Sequence, residues 1–156
     1  MVSQYNHLTI KYLKLINHIG SKRTEWSHYQ DDKEFDLGWV INEKSGKLTK
    51  QDKIKRKKLD AKKAIKGDLI LLCQNNHFFG HRATHVVEIV DEPYEAKCID
   101  DMWTRRVRIV WIAEKPWEKA PLTEDVIGKK FSFRSGNLVN VKASTIYLNL
   151  DKLKFE

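Results

Sequence analysis

Cys73, His77, His81 and His85 recur at every fourth position, a spacing that would stack metal ligands on one face of a helix. No second Cys-x-x-Cys pair accompanies them to complete a zinc set. Asn75-Asn76 and Gly80 interrupt the stretch with residues that favour a turn. A hairpin would separate Cys73 from His85, so the histidines read as sheet-surface or phosphate-side residues, and no cofactor is expected. The acids Asp68, Glu88, Asp100 and Asp101 could serve acid–base chemistry, but no nucleophile, base and orienting group stand together. A nuclease would show clustered carboxylates with a lysine at strand ends, and that arrangement is missing. The chain reads as non-catalytic, with a small enzyme or metal protein as the third alternative.

Positive charge is the more abundant resource. The 156 residues carry 29 Lys and Arg against 21 Asp and Glu, a formal net charge of +8, and the pI is near 9.4. Clustered Lys and Arg displace condensed counterions from a phosphate backbone, so nucleic acid leads the candidate anionic partners. The bland alternative is surplus surface lysine that keeps the protein soluble. The charge is bunched: Lys50, Lys53, Lys55, Arg56, Lys57, Lys58, Lys62, Lys63 and Lys66 fall in one stretch. Ile54, Ala61, Ala64 and Ile65 recur there at roughly helical spacing, which predicts a basic amphipathic helix in its second half and a mobile first half.

No apolar run is long enough for a membrane helix, and Met1-Val2-Ser3-Gln4 lacks a signal-peptide pattern. A cytoplasmic protein is expected, and its two cysteines make no disulfide framework.

The elements that must position these residues are mostly strands. Ile10 to Ile16 reads as a first strand ending in the polar turn Asn17-His18-Ile19-Gly20-Ser21, and Phe35 to Ile41 as a short apolar segment. Lys66-Gly67-Asp68 opens the central unit. It holds an apolar strand from Leu69, a turn at Asn75-Asn76-His77, and a return strand from Phe78 to Val90 with Gly80 at a bulge or close approach. Pro93 then breaks the sheet, and Glu95 to Asp101 reads as a polar loop ending at Met102-Trp103. Arg105 to Ile112 alternates basic and apolar residues, a strand with one wet face. Thr123 to Gly128 makes at most one helical turn. Phe131 to Val141 reads as a hairpin with a Ser-Gly turn and Thr145 to Leu150 as a last strand-like segment. The expectation is α+β, mainly β: one domain over residues 1–156 with a basic insertion at about 44–60 and flanking short helices.

This order resembles the EVE and YTH-like branch of the PUA-like curved β-barrels over roughly Tyr12 to Leu150. The likeness rests on the strand ending in Ile16-Asn17-His18, Gly38-Trp39, the Lys66-Gly67-Asp68 turn with its hairpin, and Trp103 before Val107 to Ile112. The resemblance implies a reader that flips a base, methylated or otherwise modified, into an aromatic cage. Trp39 and Trp103 would be its walls, and Asn17, with His18 where the family has a second Asn, would meet the base edge. Arg134 would lie near base or phosphate. Lys57, Lys58, Lys62, Arg105 and Arg106 are the further backbone-binding candidates. For Arg105, Arg106 and Arg108 the alternative is the wet face of their strand, and for each tryptophan a place in the core. Flipping a base costs a few kcal/mol, and each aromatic face returns about 1–3 kcal/mol of stacking, so two walls would roughly offset it. The expected partner is DNA or RNA carrying a modified base. The runner-up is a PUA-like RNA-binding domain that needs none.

Overall fold

A computed structural model of the chain describes residues 9–16, 26, 33–41, 48–130, 136–142 and 148–153. The strands are β1 (Ile10–Ile16), β2 (Glu34–Val40), β3 (Leu69–Asn76), β4 (Gly80–Ile89), β5 (Lys97–Ile99), β6 (Met102–Ile112) and β7 (Val139–Asn140), and the helices are α1 (Lys50–Ala61) and α2 (Thr123–Ile127). The strands form one sheet in the order β2-β6-β4-β3-β1-β7, with β5 also paired to β6. Among the described residues only β1 and β3 pair in parallel. The fold is mainly β, and its sheet is curled into a half-barrel.

The curl has visible local causes. On β4 the register skips Thr84, so that Leu72 faces His85 while Cys73 faces Ala83. On β6 it skips Val110 between the partners of Val86 and Val87. Extra residues of this kind bend a strand and increase its twist.

The central strand is apolar throughout because both faces of the sheet are covered. Leu69, Leu71 and Cys73 enter one core with Val126 and Ile127 of α2. Ile70 and Leu72 enter a second core with Phe35, Leu37 and Trp39 of β2 and with Ala61 and Ala64 at the end of α1. Each of these fully buried aliphatic side chains contributes about 1.5–3 kcal/mol relative to exposure.

Turn chemistry follows the sequence closely. Asp68 N–H donates to the Ile65 carbonyl at 3.0 Å across a turn whose third residue, Gly67, has φ +94°, the left-handed value that favours glycine. The Asp68 carboxylate closes the same turn by accepting from Ile65 N–H at 2.9 Å. At the other end of β3, the Asn76 side chain accepts from Phe78 N–H at 2.9 Å, and Gly80 leaves the turn at φ +73°.

Three expectations change. Helix α1 begins at Lys50, inside the part expected to be mobile, because Thr49 caps it by accepting from Asp52 N–H at 3.2 Å. The supposed loop from Glu95 to Asp101 contains β5, joined to β6 by Asp100 and Asp101 at φ 52° and 60°. That is a two-residue hairpin turn in which aspartate stands where asparagine and glycine are usual. Trp103 is consequently the second residue of β6, not a loop residue. Of the strand-like segment expected over Thr145–Leu150, residues 145–147 lie outside the described residues, and Leu150 opens a 3-10 turn, Leu150–Leu153. The predicted hairpin arm 131–135 lies outside the described residues, although β7 beyond it pairs with β1.

Candidate nucleic-acid interface

Trp39 and Trp103 are direct partners across the antiparallel β2–β6 pair, which puts both indoles on the same face of the sheet. A Cβ at Gly38 beside them would meet the Met102 thioether, so any side chain there would have to push the flexible Met102 aside. Although 64 positions apart, the two rings are therefore neighbours. Their environments differ sharply. Trp39 is 0% exposed, and its Nε1 donates to Asp60 Oδ2 at 2.8 Å. The Lys14 ammonium lies over its ring, 4.6 Å from the centroid. Trp103 is only half-buried, with Lys58 Nζ 5.5 Å from its ring centroid. Its indole N–H is enclosed without an acceptor among the described residues. Trp39 is thus a core residue whose face is already occupied, and the open two-walled slot expected of the pair is not formed. Packing, not strand position, made the difference, because α1 lowers Asp60 onto the Trp39 edge.

Beneath α1 lies a polar cluster that does not stand out in the sequence. Asp60 is 5% exposed and also accepts from Leu138 N–H at 2.7 Å and from Lys63 Nζ at 3.2 Å. Lys14 lies between Tyr12 and Ile16 on the inward side of β1 and is 2% exposed. Its ammonium donates to the Gly136 carbonyl. Burial pushes the Lys14 pKa down from 10.5 to about 7; Lys57 adds to the shift and Asp60 opposes it. Lys57 is also lowered by burial, against the opposing pull of Asp60, and donates to Asn137 Oδ1 at 2.5 Å. These groups tie Gly136–Leu138 to β1 and α1, so Lys57 is turned inward and not toward a phosphate. A signal did exist for Lys14 and Asp60. One is the lone cation on an apolar face; the other is the lone acid in Lys55-Arg56-Lys57-Lys58-Leu59-Asp60.

The arginines of β6 also divide. Arg105 is fully buried. Its guanidinium donates to Asp91 Oδ1 at 2.8 Å and to the carbonyls of Ala61 at 2.8 Å, Ala64 at 2.6 Å and Asp91 at 3.1 Å. It clamps the C-terminal end of α1 to the sheet, where cations suit the helix dipole, and no phosphate reaches it. Arg106 is on the wet face but faces Glu34 and Asp36, each at 3.4 Å. Arg108 is paired with Glu88 at 2.5 Å. The field along that face is largely cancelled, which the alternating pattern could not reveal without the register of β2 and β4. Of the backbone-binding candidates, Lys58 remains exposed and Lys62 half-exposed, alongside exposed Lys55, Arg56 and Lys66. Asn17, His18 and Arg134 lie outside the described residues.

The four-residue Cys/His spacing falls on the hairpin. Cys73 enters a core, where burial pushes its thiol up to about 12. His85 is buried with its pKa lowered to about 4 by desolvation and packs edge-on to Trp117 at 5.2 Å. Among the described residues no three metal-ligating side chains converge.

These features define a mainly β protein whose curled half-barrel sheet carries a lysine-rich helix over one core. Comparisons with protein-family models, with curated proteins and with solved structures find no match.

Proposed function

We propose that this protein is a nucleic-acid-binding module of PUA-like kind that grips the phosphate backbone with the outward side of α1. The observation carrying this is how the acids of the Lys50–Lys66 stretch are used. There are only two, Asp52 and Asp60. Asp52 sits at the helix cap, where its carboxylate accepts from the Thr49 hydroxyl, and Asp60 is buried. Neither neutralises the exposed Lys55, Arg56, Lys58 and Lys66. Half-exposed Trp103 at the edge of this surface offers a ring for one base.

The test is a salt titration of a fluorescein-labelled oligonucleotide followed by anisotropy. Each cation that neutralises a phosphate contributes about 0.7–0.9 to the slope of log K against log salt. Combining Lys55→Glu, Arg56→Glu and Lys58→Glu should therefore flatten the slope by about 2–3. An unchanged slope and affinity would refute the reading.

The adjacency of Trp103 to Trp39 favours a second reading, recognition of a modified base. It requires Trp39 to give up its bond to Asp60 and the Lys14 ammonium above its ring. Methylated and unmethylated oligonucleotides compared at one salt concentration separate the two readings. A preference abolished by Trp103→Ala supports the reader, and equal binding supports the simpler module.

A further inference from the structure

We infer that the tip of the β3–β4 hairpin is a stacking platform for unpaired bases, which makes the nucleic acid of the preceding proposal, on which this inference rests, single-stranded. Phe78 is 71% exposed and Phe79 is 38% exposed, at turn positions where polar residues are the rule. The Trp26 ring stacks on Phe79 with centroids 6.3 Å apart and planes 17° from parallel. Phe78 stands 6.4 Å from Phe79, with His77 edge-on at 5.4 Å from Phe78. The four rings form one contiguous cluster, with Trp26 and Phe79 stacked and Phe78 and His77 inclined to their neighbours by 63° and 73°, and Phe78 is the ring most open to a base.

That surface is held by hydrogen bonds and ring contacts. Asn76 accepts from Phe78 N–H with its side chain and from Phe79 N–H with its carbonyl, at 2.9 and 3.3 Å. The Arg82 guanidinium ties the turn to its neighbour by donating to the Phe79 carbonyl at 2.9 Å and the Ala120 carbonyl at 2.8 Å. Buried Trp117 supports Trp26 edge-on at 6.0 Å. A prearranged aromatic surface binds with little ordering cost.

The chemistry favours bases over an apolar protein segment. The surface is made of flat rings, which stack on the π-face of any base. Arg82 is beneath it, and Lys115 and Lys119 flank Trp117 with Glu114 and Glu118 in the same loop. The net charge of +8 draws polyanions to the whole molecule. A duplex hides its base faces, so such a platform discriminates for unpaired strands. The tip is separated from the α1 end by the length of β3, eight residues or roughly 26 Å, so the two grips can be tested independently.

The experiment measures anisotropy of the full chain with three labelled 20-mers: a pyrimidine single strand, an abasic strand of equal phosphate count and a blunt duplex. The base-bearing single strand should bind tightest. Phe78→Ala should weaken it about 5- to 150-fold, the equivalent of one lost stacking contact, with the salt slope unchanged. The abasic strand should bind weakly and ignore Phe78→Ala. If Phe78→Ala changes nothing, or if the abasic strand binds as tightly as the base-bearing one, the platform is refuted while binding through α1 stands. If no oligonucleotide binds, both proposals fall. A dimer that Phe78→Asp converts to monomer with oligonucleotide affinity intact would assign the tip to a second copy and also overturn the inference.

Discussion

Replacing Lys14 with methionine keeps the unbranched shape of the side chain, one atom shorter, and removes its charge, and the result should depend on pH in a calculable way. Lowering the pKa from the ordinary 10.5 to about 7 in the folded state corresponds to about 5 kcal/mol. That is the cost of keeping Lys14 charged at acid pH, mostly its lost hydration with repulsion from Lys57 added and the attraction of Asp60 opposing. Between pH 7 and 10.5 the unfolded chain keeps the proton and the folded chain has released it, so stability rises with pH across that window. From pH 6 to pH 9 the wild type should gain about 3 kcal/mol from this group relative to Lys14→Met. The variant also leaves the Gly136 carbonyl without its donor, about 1–3 kcal/mol, but that offset is independent of pH. Urea denaturation of both proteins at pH 6, 7.5 and 9 reads the difference directly. Parallel stability curves would refute the account of Lys14 as a desolvated cation.

His85 should behave as a second buried base at lower pH. With its pKa lowered to about 4 from 6.5, it should remain neutral by NMR at pH 5.5. It should remove about 3 kcal/mol of stability as the pH falls from 6.5 to 4, and His85→Phe should flatten that limb. Arg105→Met strands the Asp91 carboxylate and two helix-end carbonyls and should cost about 3–5 kcal/mol, a fall in Tm of roughly 6–20 °C. Arg105→Lys should recover little, because one ammonium cannot span acceptors that a guanidinium fork reaches. The salt slope of oligonucleotide binding should be the same in folded Arg105→Met as in wild type; a flatter slope would return Arg105 to the phosphate path.

The local elements were legible because each rests on short-range chemistry. The Ile65–Asp68 turn, the hairpin from Leu69 to Ile89 and the brief helix closed by Gly128 follow from glycine, asparagine and apolar runs. The β5–β6 hairpin escaped because Asp100-Asp101 takes left-handed angles that asparagine and glycine usually signal. The candidate site was legible only in part. That Trp39 and Trp103 belong together was only an implication of the family resemblance; the register makes them cross-strand partners. Which of them faces solvent was not legible, because that depends on where α1 sets Asp60.

From the sequence alone came the charge surplus, the basic helix and all the longer strands and turns but the β5–β6 hairpin, since these depend on residue type and on neighbours a few positions away. Only the tertiary structure decided which cations are available. Arg105 and Lys57 look like Arg56 and Lys58 in the sequence, yet the first pair is turned inward to Asp91 and Asn137 and the second outward. Packing brings the Asp91 carboxylate to Arg105 and the Asn137 carbonyl to Lys57 from residues 14 and 80 positions away, and the local pattern around those two cations does not encode that assignment.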